Sequence, residues 1–224
     1  MTLDQVLNEL GTMGNAKAIE IWKKMHISHE VYLGNGITAL KMYAKKIKNS
    51  HELAMELWET KVHDAKLLAT MIEEPKKVTE EQIDKQITEI YSSDLCDKFS
   101  SNVVAKSAFA VKKILEWCKD EREYHKRGGF VTLYNLSDKS STLNDEQYME
   151  LLQQIETEIH NERNWVREGM IFGLIGIGKR NEMLRSLVTE ACKRIGKIDI
   201  DYGNTSCVAP DPLMLLNAKK YKCC

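Results

Sequence analysis

Apolar residues recur at three- and four-residue spacing along nearly the whole chain, the mark of helices that turn one face to a core. Leu3, Val6, Leu7 and Leu10 predict a first helix, and Ile19, Ile21, Trp22 and Met25 a second. Three more are predicted over Ile37 to Ile47, Leu53 to Trp58 and Val62 to Ile72, the last stopped by Pro75. Thr79-Glu-Glu-Gln82 has the spacing of a capping box and opens the next. Ser92 or Ser93 is placed to cap the helix that carries Asp94 and Asp97. Further helices are predicted at about 106–118, 121–136, 144–160, 163–178 and 181–195, with starts at Asn144 or Asp145 and at Asn161, and a stop at Gly196. The most loop-like interior stretch is 137–143. Beyond Gly196, Ile198-Asp-Ile-Asp-Tyr-Gly alternates apolar and polar residues and reads as an extended arm. A short helix at about 212–220 closes it, with Asp211 as cap and Pro212 in the first turn.

The helices also repeat. His63-Asp-Ala-Lys-Leu-Leu, His125-Lys-Arg-Gly-Gly-Phe and Val166-Arg-Glu-Gly-Met-Ile each set a basic residue (Lys66, Arg127, Arg167) just ahead of an apolar helix body. Arg127 and Arg167 are forty residues apart, within the range of a HEAT-type helix pair. In a stack of such pairs, equivalent positions line one face, and a recurring cation there makes a positive track. The plainer alternative is that these cations solvate helix starts, and the spacing does not choose between the two.

Composition narrows the class. Only 3 prolines and 12 glycines in 224 residues, with long stretches rich in Leu, Ala, Lys and Glu, point to an all-α chain. The net charge of −1 offers no bulk attraction for nucleic acid, so any basic surface must arise by local segregation. Six cysteines without a C-x-x-C pair are expected to be reduced thiols of a cytoplasmic protein, nucleoid-associated or, in a eukaryote, nuclear, rather than a disulfide frame or zinc site. Neither a signal peptide nor a membrane span is expected. The final Lys-Cys-Cys is read as an incidental tail rather than a prenylation signal.

Gly173-Leu-Ile-Gly-Ile-Gly-Lys179 resembles the start of a phosphate loop. Arg180 replaces the magnesium-binding hydroxyl, however, and a helix rather than a strand precedes it, so close helix packing ended by Gly178 is the better reading. The six histidines are scattered and suggest no metal site; His26 and His29 share a helix face without partner ligands. There remain Asp94 and Asp97, three residues apart on one helix face. Asp94, near the helix start, suits the macrodipole and backbone capping. Asp97, flanked by Cys96 and Phe99, has less local reason to be acidic. A carboxylate facing a cationic groove can stabilise a developing cation.

Glu52-Leu-Ala-Met-Glu-Leu-Trp58, His63 to Pro75, Ser93-Asp-Leu-Cys-Asp97, Lys126-Arg-Gly-Gly-Phe130, and Arg163-Asn-Trp-Val-Arg-Glu-Gly-Met170 through Gly178-Lys-Arg-Asn181 together resemble the DNA alkylation repair family of AlkD-like, HEAT-repeat DNA glycosylases, over roughly residues 35–195. Asp201-Tyr-Gly-Asn-Thr-Ser-Cys207 with Pro210-Asp211 is similar to one branch of it. The resemblance implies a curved solenoid of HEAT-like antiparallel helix pairs, with N-terminal helices over 1–48, core repeats over 50–195 and an arm over 196–224 in a single domain. It implies a monomer that needs no cofactor or metal, holds alkylated double-stranded DNA in a concave groove, and excises positively charged N3- or N7-alkylated purines. The family's catalytic aspartate falls on Asp97 and its groove arginine on Arg127. Lys66, Lys126, Arg163, Arg167, Lys179 and Arg180 are then expected to hold phosphates. Two aromatic positions of the lesion cleft differ. Ser93 stands four before Asp97, and Phe172 replaces a tryptophan. Trp165, seven residues before Phe172, substitutes for it only if the helix faces the groove differently. A non-catalytic HEAT-like scaffold for DNA or a protein is the competing reading.

Overall fold

The computed structural model describes residues 1–24, 31–136 and 143–218. His26, His29, residues 137–142 of the loop expected over 137–143 and the terminal Cys-Cys lie outside the described residues. Within them the chain is all-α, with thirteen helices and one 3-10 turn. Contacts divide it into two compact units, Met1–Ser107 with Tyr202–Ser206, and Ala108–Asp201 with Cys207–Cys224. Ser107 lies within the core repeats expected over 50–195.

The first unit holds α1 (Leu3–Met13), α2 (Ala16–Lys24), α3 (Ile37–Ile47), α4 (His51–Trp58), α5 (His63–Ile72), α6 (Glu80–Thr88) and α7 (Ser93–Asn102), followed by the 3-10 turn Val104–Lys106. Its centre is α5, which packs against α3, α4 and α7. Nine of its ten residues are buried, which requires its polar groups to find partners inside the protein. Two adjacent residues at its start do this in different directions. Asp64, fully buried, accepts hydrogen bonds from the backbone N–H groups of Leu33 (2.9 Å) and Asn35 (2.6 Å) and from the Asn35 amide (2.9 Å), and so holds the 33–35 segment. His63 reaches toward α7.

The second unit holds α8 (Ala110–Trp117), α9 (Glu123–Asn135), α10 (Asp145–Glu158), α11 (Asn164–Gly178), α12 (Glu182–Ile195) and α13 (Pro212–Asn217). One core built on Phe130, Leu152, Ile155, Met170 and Leu174 joins them. The glycine-rich run inside α11 is a packing seam, as its spacing suggested. A Cβ on Gly169 would lie 3.1 Å from the Arg127 Cα, and one on Gly176 2.9 Å from the Tyr134 Cα. The α9 and α11 backbones are therefore in near contact. Gly→Ala in a helix ordinarily stabilises. Here Gly176→Ala is expected to cost about 1–3 kcal/mol, because a methyl group must push two helices apart. A urea titration checks the sign.

Caps show how much of the sequence pattern is local. Asn144 and Gln147 form a full capping box, Asn181 and Asp211 cap α12 and α13 with their side chains, and Gly196 ends α12 at φ +70°. At Thr79 only half the expected box exists. Thr79 accepts from the Gln82 N–H, while the Gln82 amide donates to Glu73 (3.0 Å) instead of reaching back. Asn161 is not a start; Arg163 precedes α11 without a side-chain cap. The helix expected from 106 begins at Ala110, after the 3-10 turn.

Candidate nucleic-acid interface

In the second unit, α9 and α11 carry a connected series of three aromatic rings and two cations. The Arg127 guanidinium carbon lies 5.7 Å from the Trp165 ring centre and 6.0 Å from that of Phe172. Phe172 in turn packs against Tyr134 at 5.4 Å between ring centres, and the Lys179 ammonium sits 3.5 Å above the Tyr134 ring. Such cation–π contacts are worth about 0.5–2 kcal/mol each. Seven-residue spacing, close to two helical turns, puts Trp165, Phe172 and Lys179 on one side of α11, facing Arg127 and Tyr134 of α9. Trp165 and Phe172 thus both lie beside the same guanidinium. Tyr134 is the member that sequence reasoning missed; its spacing of seven from Arg127 was the available signal.

Arg127 is held rigidly. It is 1 % exposed, donates to the Trp165 carbonyl at 2.7 Å and pairs with Glu168 at 2.8 Å. Arg180 lies 5.9 Å from the Tyr148 ring. Arg163 is exposed, and Arg167 is partly exposed. The buried Nε of Arg167 has no hydrogen-bond partner, and its charge helps to hold the Asp199 carboxyl below its usual range, after the hydrogen bond and charge of Lys197.

Two other candidate cations are engaged within their own units. The Lys66 ammonium is buried, donates to the Trp58 carbonyl at 2.6 Å, and lies 4.8 Å from the Trp58 ring and 3.9 Å from Glu89. Burial lowers its pKa, with Glu89 opposing the shift. Lys126 donates to Glu158 at 2.7 Å and to Glu162. Burial works against its charged form, but the two carboxylates outweigh it and raise its pKa. Periodicity had placed both lysines on useful helix positions without showing the acceptors already beside them.

In the first unit, the two acids of α7 have different surroundings. Asp94 Oδ1 accepts from the Ser92 hydroxyl (2.6 Å) and the Leu95 N–H (2.8 Å), and its Oδ2 is 3.1 Å from His63 Nε2. Burial alone would raise its pKa, but the hydrogen bond from His63, then those from Ser92 and Leu95, hold it below the usual carboxylate range. Asp94 is therefore more than a cap. The other ring nitrogen of His63 is 2.8 Å from the Tyr91 hydroxyl, and Trp22 and Tyr32 pack around the ring. Asp97 lies one turn further on and is partly exposed. Ser93 is 7 % exposed and adds no aromatic surface. The His63–Tyr91–Asp94 cluster was invisible in the sequence, because His63 is 28 residues from Tyr91 and 31 from Asp94.

A cavity of about 580 Å³ lies between α11, α12 and the arm, lined mainly by apolar residues and by Cys192, whose thiol burial pushes up to about 11. None of the candidate residues lines it. Among the described residues, no helix is long and apolar enough to cross a membrane, and Cys96, Cys118, Cys192 and Cys207 form no disulfide.

The paired helices and the interleaved face of α9 and α11 define a HEAT-like repeat protein. A solved structure, described as a new family of proteins related to the HEAT-like repeat DNA glycosylases with affinity for branched DNA structures, matches with a TM-score of 0.84 at 24% identity, covering 96% of this chain and 92% of the other. The chain belongs to the DNA alkylation repair enzyme family, whose model matches residues 6–195. It is also similar to Lin0241 of Listeria innocua serovar 6a (29% identical) and Lmo0209 of Listeria monocytogenes serovar 1/2a (28% identical), each over 217 residues and 95% of both chains.

Proposed function

We propose that the protein is a DNA glycosylase that excises positively charged N3- or N7-alkylated purines from duplex DNA. The observation that supports this most is the series Trp165–Arg127–Phe172–Tyr134–Lys179, in which flat rings that can pack against sugars and bases lie in contact with cations. Asp97 is the reacting carboxylate. Cleavage of the N-glycosidic bond makes an oxocarbenium-like sugar, which a carboxylate stabilises while it positions water. An alkylated purine is already cationic and leaves without strong acid catalysis. Arg163, Arg167, Lys179 and Arg180 hold phosphates in this reading, while Lys66 and Lys126 brace their own helices and Arg127 anchors the aromatic face.

A non-catalytic DNA binder is the second reading, and Ser93 favours it. Where the resemblance places an aromatic wall, this chain has a buried hydroxyl, and one aromatic contact to a nucleotide is worth about 1–3 kcal/mol. The affinity of the solved relative for branched DNA is the natural alternative activity.

Release of 7-methylguanine from alkylated duplex, measured beside DNA binding over a salt series, separates these readings. The glycosylase releases the base. A protein that releases none but binds DNA with a steep salt slope is the scaffold, and one that shows no salt-sensitive binding overturns both. Within the binding series, Lys179→Gln is expected to weaken all sequences alike and to reduce the log–log salt slope by about 1. Lys126→Gln is expected to leave the slope in place and lower the Tm, since it strands Glu158 and Glu162.

A further inference from the structure

We propose that His63 is a positioning residue for Asp97, acting through Asp94 to hold the first turn of α7; this rests on the reading of Asp97 as the reacting carboxylate. The start of α7 is unusual in its capping. Ser92 occupies the N-cap, yet its hydroxyl makes no cap hydrogen bond; it donates to Asp94 instead. An uncapped helix start frays, because its first N–H groups lack partners. Here the turn is held from outside, by a connection running from the Tyr91 hydroxyl through the His63 ring to Asp94, and from Asp94 to the Leu95 N–H. With Asp94 ionised, the consistent arrangement has His63 Nε2–H donating to Asp94 and the Tyr91 hydroxyl donating to Nδ1. Every polar atom of the ring is then used.

Simple packing does not call for this residue. His63 is fully buried, between Trp22 and Tyr32, where an apolar side chain fills the space without desolvating a polar ring and its acid partner. What the imidazole adds is direction. It ties the buried helix α5 to one carboxylate, and that carboxylate lies three residues from Asp97 on the same helix face. A reacting carboxylate displaced by about 1 Å can lose on the order of 10²-fold in rate.

The test uses the full chain in single-turnover release of 7-methylguanine, with DNA affinity and amide hydrogen exchange of α7 measured in parallel. His63→Leu and Asp94→Ala are expected to slow release by more than about 10-fold at near-unchanged affinity, and to speed exchange at Leu95 to Asp97. Asp94→Asn is expected to recover most of the rate. Its amide can donate to His63 Nε2 while its oxygen still accepts from Ser92 and Leu95, with the ring taking its other tautomer. Normal release by His63→Leu overturns the proposal. So does an Asp94→Asn variant as inactive as Asp97→Asn, which would make Asp94 a reacting group itself. If His63→Leu does not fold, Tyr91→Phe, which removes the ring's other anchor, must slow release and speed α7 exchange; no change in either overturns the proposal. Should the unmodified protein release no base, the glycosylase reading fails, and exchange alone decides. Faster α7 exchange in His63→Leu, restored by the Asn variant in Asp94, then upholds the tether, and unchanged exchange rejects it.

Discussion

Asp97→Asn is expected to reduce release of 7-methylguanine from alkylated duplex by on the order of 10²–10³-fold, the loss typical of removing one group that stabilises developing charge. DNA affinity should stay within about twofold, because phosphate contacts dominate affinity and the carboxylate makes none. The isosteric amide keeps the volume of Asp97, so α7 should fold as before. What it loses is the negative charge that, on the proposed glycosylase reading, stabilises the oxocarbenium-like sugar. A variant that retains full release would remove Asp97 from the chemistry. Asp94 makes a poor substitute, since its two oxygens are already committed to His63, Ser92 and Leu95.

The second large effect is on stability. Arg127→Ala leaves Glu168, itself 8 % exposed, facing the hole that the guanidinium filled. Breaking a buried pair from one side costs about 3–5 kcal/mol. The double variant Arg127→Met with Glu168→Met replaces both charges by apolar chains of similar length and should recover most of that loss. Urea denaturation of the two variants checks this. DNA titration of the double variant then gives the contribution of the guanidinium to binding, free of the folding defect. Equal stability of Arg127→Ala and the unmodified protein would mean that the buried pair carries little.

The helices were legible because their signals are local. Ile37–Ile47 appears with the bounds its periodicity predicts, and Asn144, Asn181, Asp211 and Gly196 act within a turn of their own positions. The seam of α11 was legible for the same reason: glycines among Leu and Ile have few other uses in a helix. The site was legible only in part. Spacing brought Trp165 and Phe172 onto one side of α11, but it carries no information on what lies opposite. Lys66 and Arg127 both stood at the head of an apolar helix body. Only the fold sets the Trp58 carbonyl beside one and two aromatic rings beside the other. The split into two units at Ser107 left no mark in composition, since helices continue on both sides of it.

The glycine seam has a consequence for length scale. With the α9 and α11 backbones pressed together at Gly169 and Gly176, neither helix can slide past the other without driving a side chain into backbone. The two helices therefore share one fixed ruling. Trp165, Phe172 and Lys179 mark it on α11, and Arg127 and Tyr134 on α9, each step being seven residues, or about 10 Å along the axis. A nucleic-acid strand in B-form advances by about 3.4 Å per nucleotide, so one step of the ruling is commensurate with three nucleotides. A slip of α11 by a single residue would shift it by about 1.5 Å and put its marks out of register with those on α9.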